Sequence, residues 1–471
     1  MAAQQRRSRQ HVRQRRSKAQ DERYGNGATT AEEPPKTAEM GYVLMTAQFQ
    51  KIVVADHMDR ISDLPSHLID FILQRLPLQD VVRTSLLSSK WRYKWTSIPK
   101  LDFSNDFFQK CRDLELHEVS STITEILLIH DGQLDEFVLC IPENVPIKIE
   151  SLNKWILCLS RKGIKELELW NLQTDPCETP SHIFSCQGLT YLQLHNFKLS
   201  TVPNFSSFKS LVYLMLVDII FESSAIDLMF GCPSLVMLSI CYCSGFECIN
   251  VSSPALEVLH VQGEQVIKSI CLEKAKRMTD VSLMADNPGD NFDMDTISNL
   301  IKGLSEVESM CLTEGYIQIF STAYTLPKSL QKPLNCLESL ELEGVNFDDT
   351  TELLFVISLL KSSPNLEKLF IQGNYSTGVD LPQILEKSKY NGCCLSHLLT
   401  VHIKAYKPCE NTMNFIRFLL ANSTSLELLT FCIIPAHDQQ HHSISSVGRE
   451  LEQMARASKS AVVEFIDLSF D

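Results

Sequence analysis

Several signatures of chemistry are missing from this chain. There is no glycine-rich phosphate loop, no His-Glu-x-x-His, no Gly-x-Ser-x-Gly and no Cys-x-x-Cys pair in its 471 residues. Those gaps leave no sequence basis for nucleotide hydrolysis, zinc proteolysis, serine-based acyl transfer or dithiol exchange, so the sequence predicts a protein that is not an enzyme and takes no cofactor. A run of about 18 apolar residues, the length that crosses a bilayer, is also lacking, as is an apolar segment of the secretory kind near the start. The expectation is a soluble protein of the nucleus and/or cytoplasm with no membrane partner. Metal ligation has little support. Cys241, Cys243 and Cys248, and separately His437, His441 and His442 beside Asp438, come nearest, and neither set has a structural zinc spacing. The 16 cysteines are scattered, and Cys158, Cys241, Cys311 and Cys432 sit in apolar, strand-like stretches, which predicts reduced core thiols.

Charge is unevenly spread. Residues 1–23 carry Arg6, Arg7, Arg9, Arg13, Arg15, Arg16, Lys18 and Arg23 against Asp21 and Glu22, a net +6 that leaves −20 on the remainder of a chain whose total is −14. A body of that sign offers no broad basic face, so no nucleic-acid partner is expected for it. The leader, residues 1–56, lacks apolar periodicity as far as Val53 and reads as disordered. Within it, Arg13-Gln14-Arg15-Arg16-Ser17-Lys18 fits either a nuclear import signal or a plain solvated leader.

What is present begins at residue 57. Leu68, Ile69, Ile72, Leu73 and Leu76 recur at helical spacing between Pro65, suited to a first helical turn, and Pro77, which ends the run. Asp80 is placed to cap a second helix bearing Val81, Val82, Leu86 and Leu87, and Trp91 and Trp95 lie four residues apart on a third. Three helices in under about 50 residues bury little apolar surface, so Leu64, Pro65 and the outward sides of Ile69 and Ile72 are expected to complete their burial against a partner.

Beyond this module a Leu-x-x-Leu-x-Leu pattern returns repeatedly, the mark of leucine-rich repeats. Clear copies are Ile164/Leu167/Leu169, Leu189/Leu192/Leu194, Leu211/Leu214/Leu216, Leu235/Leu238/Ile240 and Leu256/Leu259/Val261, spaced 25, 22, 24 and 21 residues apart. Looser copies begin at Met278, Val307, Leu337, Leu366, Leu398 and Leu426. Each unit cannot bury its own leucines, and stacked neighbours supply the cover, so the expected fold class is an α/β solenoid with parallel strands on its concave face. Eleven strands at roughly 4.8 Å each give a concave sheet about 50 Å long. Segment 110–150 reads as a joint between the helical module and this array. The strand positions between the leucines then face the concave side, where Trp170, Tyr191, Tyr213, Met215, Val217 and Met237 form an apolar patch. That patch is expected to bind a protein target, unless loops or the joint fold over it as core.

Residues 59–103, with their run from Thr84-Ser85-Leu86-Leu87-Ser88 through Lys90-Trp91-Arg92 and Trp95 to Ile98-Pro99 and Leu101-Asp102-Phe103, resemble a plant-type F-box. The resemblance implies docking on a Skp-family adaptor, and through it on a cullin scaffold, by the matching positions Leu64, Pro65, Ile69, Ile72, Leu76, Pro77, Val82, Leu87 and Trp91. Further on, Cys394 to Ile403, Glu410-Asn411, Phe415 to Asn422 and Leu426 to Leu429, with Ala455 to Ser458 and Val462 to Ile466, are similar to the FBD domain that follows leucine-rich repeats in plant F-box proteins. The same residues also read as ordinary terminal repeats, and capping the solenoid is a sufficient role for them. The expected division is a leader at 1–56, an F-box at 57–105, repeats at 106–390 and an FBD-like cap at 391–471. The expected role is target recognition for a cullin-based (SCF-type) ubiquitin ligase. The alternative is a repeat scaffold without a ligase role.

Overall fold

The computed structural model describes residues 64–467, apart from 111–115, 146, 201–204, 223–229, 273, 290–299, 301–302, 323–332, 375–394, 407–408 and 435–444. The expected leader and the histidines at 437, 441 and 442 lie outside the described residues. Helix α1 (Ser66–Leu73) begins directly behind Pro65, and α2 (Leu78–Arg83) directly behind Pro77. Both prolines hold extended ψ values at the N-cap, where a missing N–H costs nothing. Pro77, not Asp80, is therefore the cap of α2. Asp80 sits inside the first turn and pairs with Arg83 at 3.2 Å.

The third helix differs from expectation. Trp91 lies in a turn, and Trp95 in a short 3-10 segment, Lys94–Ser97, joined by i to i+3 bonds such as Lys94 N to Trp91 O at 3.2 Å. The stretch is short, rich in aromatics that lose rotamer freedom in a helix, and stopped by Pro99. Both indoles nonetheless point inward, with Trp91 1% and Trp95 7% exposed.

From Ile98 the chain enters a single parallel sheet of 14 strands that lie side by side in chain order. They are β1 (Lys100–Phe103), β2 (Glu136–Ile141), β3 (Glu166–Asn171), β4 (Tyr191–His195), β5 (Tyr213–Val217), β6 (Met237–Cys241), β7 (Val258–Gln265), β8 (Asp280–Asn287), β9 (Ser309–Thr313), β10 (Ser339–Val345), β11 (Lys368–Gly373), β12 (Thr400–Ala405), β13 (Leu428–Ile433) and β14 (Val462–Asp467). Strands β3 to β13 are the eleven repeats read from the sequence, and β1, β2 and β14 extend the sheet at both ends. Segment 110–150 is thus no mere joint, because it contributes β2.

Register follows the repeat. One ladder runs Leu101, Phe137, Leu167, Leu192, Leu214, Leu238 and Leu259 across the first seven strands, and a second runs two residues later. The side chains of both ladders are at most 2% exposed over β1 to β7, since alternate strand residues share one face. On the other face Glu168, Tyr191 and Met215 stay partly open, while Gln193, Ser239 and His260 are buried. Among the described residues, returns in the middle of the array are irregular, 3-10 or short strands, the last paired in two smaller parallel sheets, Cys177–Glu178 with Phe197–Leu199 and Ile220–Phe221, and Cys248–Asn250 with Ser269–Cys271. Returns are helical in α3 (Asn105–Lys110), α4 (Leu116–Ile129) and α5 (Ile149–Lys162), and again in α6 (Glu314–Thr322), α7 (Thr350–Ser362) and α8 (Glu410–Asn422). After β13, α9 (Ser445–Gln453) packs beside β14, and Arg417 of α8 pairs with Glu450 of α9. The C-terminal region is therefore strand, helix, strand, helix, strand, and it continues the solenoid to its end.

Candidate functional site: an outward helical patch and a concave strand face

Helix α1 is apolar on two sides. Ile69 and Leu73, four residues apart, face inward at 3% and 1% exposure. Leu68, Phe71 and Ile72 face out, joined by Leu76 in the link to α2 and by Leu86 and Leu87 in the turn after it, each between 38% and 58% exposed. Leu64 is half-buried, and Pro65 and Pro77 are exposed. Arg75 lies over the Phe71 ring at 3.5 Å, which holds that ring against the helix surface.

Of the expected docking positions, then, Leu64, Pro65, Ile72, Leu76, Pro77 and Leu87 are accessible. Ile69, Val82 and Trp91 differ from that expectation, because their side chains fill the module's own interior and shape the surface from behind. Leu68, Phe71 and Leu86 are open apolar positions beyond those expected. The signal was the width of the apolar face of α1, which takes in Leu68, Ile69, Phe71, Ile72 and Leu73 opposite Ser66, His67 and Asp70.

The module is fixed to the sheet by backbone. Asp131 N and Gly132 N donate to Thr96 O at 2.8 and 3.2 Å, and Asp135 N and Glu136 N donate to Pro99 O at 2.8 and 3.0 Å. His130 is 2% exposed, and its Nε2 lies 2.8 Å from Ile98 O. A Cβ on Gly132 would meet Ser97 Cα at 2.7 Å, so only glycine permits this approach.

On the concave face the six expected target residues fall on four neighbouring strands, β3 to β6. Tyr191, Tyr213 and Met237 stand in one cross-strand row, and Trp170, His195 and Val217 in another, with Met215 in the row between. None of the six is buried, and Tyr213 is 45% exposed. The patch is therefore surface and not core.

His195 organises it. Its ring stacks on Trp170 with centroids 5.3 Å apart, Nδ1 is 3.2 Å from Asn171 O and Nε2 is 3.2 Å from Asp218 Oδ2. Asp218 reaches this position because it adopts a left-handed turn, φ 53°, directly after β5; Asn196 does the same after β4, at φ 60°. The Tyr191 hydroxyl donates to Gln193 Oε1 at 2.7 Å, and its ring lies 6.3 Å from Tyr213. Burial, and then Glu168 and Glu166, push the Tyr191 phenol up to about 12.

No set of three His, Cys, Asp or Glu converges on a metal-sized space among the described residues. Cys243 donates to Leu216 O and Cys241 O at 3.5 Å, and burial pushes its thiol up to about 12, so it sits as a packed thiol. Among the described residues no helix is long and apolar enough to cross a membrane.

A helical module with an exposed apolar surface, fused to one end of a parallel-strand solenoid, defines a leucine-rich-repeat protein. Family comparisons agree with the architecture. Residues 61–103 match the F-box domain, 152–371 match the LRR repeats of FBD-associated F-box protein At5g56370, and 388–431 match the FBD domain. Relatives include the F-box/FBD/LRR-repeat protein At1g13570 of Arabidopsis thaliana, 33% identical over 79% of this chain and 90% of the relative. From the same organism, F-box/LRR-repeat protein 13 is 26% identical over 87% of this chain and 96% of the relative. This chain belongs to the plant F-box/FBD/leucine-rich-repeat family.

Proposed function

We propose that this chain is the target-recognition subunit of a cullin-based (SCF-type) ubiquitin ligase. The F-box docks on a Skp-family adaptor, and the concave repeat face holds a protein target whose lysines are thereby brought near a ubiquitin-charged enzyme. The chain's part in catalysis is proximity supplied to others, with no bond-making step of its own. The observation that carries this reading is the outward surface of Leu68, Phe71, Ile72, Leu76, Leu86 and Leu87. These six apolar side chains are left open on a module that matches the F-box.

The joint supports the same reading. Strand β1 lies within the F-box match and is also the first strand of the sheet, so a target on the sheet stands at a fixed offset from the adaptor. A hinged linker would lose that register.

The test is co-purification of the intact chain with a Skp-family adaptor beside a Leu64→Ala, Pro65→Ala double variant checked for folding by circular dichroism. Capture by the intact chain and loss in the folded variant support the docking role. No capture by the intact chain leaves a repeat scaffold without a ligase role.

A further inference from the structure

The concave face carries a cluster of carboxylates at one end. Glu136 and Glu166 are direct cross-strand partners on β2 and β3, and Glu168 and Asp102 occupy the same face on β3 and β1. Like charges placed opposite one another in a sheet destabilise it. Lys100 answers them, bound to Glu136 at 3.0 Å. Glu166 is exposed, Glu168 half-buried, and the Glu166 carboxyl is held above its ordinary range by burial and then by Glu136.

These carboxylates adjoin the aromatic patch without a break. Glu168 accepts from Trp170 Nε1 at 3.4 Å, and Glu166 and Glu168 are the register partners of Tyr191 and Gln193. Past them the face changes to Tyr213, Met215 and Met237, with no charged side chain at the concave positions of β5 and β6. An acidic end therefore grades into an apolar, polarisable end over four strands.

We propose that this face selects a target segment in which a lysine or arginine lies about three residues from a large apolar side chain, the cation on Glu166 and Glu168 and the apolar group on Tyr213, Met215 and Met237. The separation comes from the sheet. β3 and β5 are two strand spacings apart, roughly 10 Å, which three extended residues span. The proposal rests on the concave face being the target site, as argued above, and adds the chemistry of the target. The arriving cation relieves the repulsion among the carboxylates, while Trp170, clamped by His195, and Tyr191, held by Gln193, are already in place.

The test uses the full-length chain and two pools of fluorescein-labelled 12-residue peptides, read by anisotropy at low and high salt. One pool carries lysine three residues from leucine or phenylalanine, and the other carries glutamate in place of lysine. The lysine pool is expected to bind at least tenfold more tightly at low salt, with the preference shrinking as salt screens the charges. A Glu166→Gln, Glu168→Gln variant is expected to lose at least tenfold, and a Glu341→Gln, Glu343→Gln variant on distant β10 to change little. Equal binding of both pools, or equal losses from the two glutamine variants, overturns the proposal. A Tyr213→Ser, Met215→Ser variant separates the two layers of the argument. If it loses binding while Glu166→Gln, Glu168→Gln does not, the target face stands and the cationic chemistry falls. If neither variant changes binding, both fall.

Discussion

His130 Nε2 sits 2.8 Å from the carbonyl oxygen of Ile98, across the seam where the F-box meets the sheet. The ring is buried, and its Nδ1 has no hydrogen-bond partner among the described residues. Burial, opposed by the Ile98 hydrogen bond and reinforced by nearby Lys162, lowers its pKa from the ordinary 6.5. The folded seam therefore holds a neutral imidazole.

A pH dependence follows with a definite sign. Below about 6.5 the unfolded chain takes up a proton that the folded seam resists, so this contribution is intact at neutral pH and is lost as pH falls through that range. Chemical denaturation at pH 7.5 and 5.5 checks it. The midpoint of the wild-type chain drops more between the two than that of His130→Gln, which keeps a donor to Ile98 and cannot titrate.

Glu352 of α7 gives the opposite slope. It is 3% exposed, accepts from Asn346 N at 2.9 Å, and burial raises its carboxyl from 4.5 to about 7. As pH rises between those values the unfolded chain ionises first, and stability declines. Glu352→Gln keeps an acceptor for Asn346 and removes the charge. It is expected to raise the unfolding free energy at pH 8 by on the order of 2–3 kcal/mol and to change it little at pH 4.5.

Inner and outer residues of the F-box should separate cleanly in a stability assay. Trp91 is 1% exposed, and Trp91→Ala leaves a large cavity, with an expected loss of about 3–5 kcal/mol. Phe71 is 53% exposed, and Phe71→Ala should leave unfolding within about 0.5 kcal/mol of wild type. Urea titration of both variants against the parent decides this.

Gly132 sets the closeness of the seam. Gly132→Val would drive a side chain into the backbone of Ser97, 2.7 Å from where its Cβ must lie. Hydrogen exchange is expected to show faster exchange of the Asp131, Asp135 and Glu136 amides, whose bonds to Thr96 and Pro99 hold the seam, while the leucine ladders of β5 to β8 stay protected.

The eleven inner repeats were legible because the buried positions of a strand recur at fixed spacing whatever connects them. Two further strands obey the same rule, as Ile98/Leu101/Phe103 and Leu134/Phe137/Leu139, and were obscured where phenylalanine stands for leucine beside the helical spacing of the F-box. At β14 the residue three before Val463 is Ser460, so the pattern has no opening apolar residue. Periodicity identified α1 but not its inward side, since Ile69 with Leu73 and Leu68 with Phe71 and Ile72 make two apolar stripes of similar strength. Only the packed structure shows which one is covered. The contact between His195 and Asp218 had no local signal either, because it depends on a left-handed turn that brings a residue after one strand onto the preceding strand.

The most direct measurement is the affinity of the intact chain for a Skp-family adaptor by isothermal titration, compared with a Phe71→Ala, Leu87→Ala variant of unchanged urea midpoint. The account predicts measurable binding by the parent and a loss of about 2 kcal/mol or more in the variant, since both side chains lie on the open apolar surface. Equal affinity of the two proteins, or no binding by the parent, would contradict it.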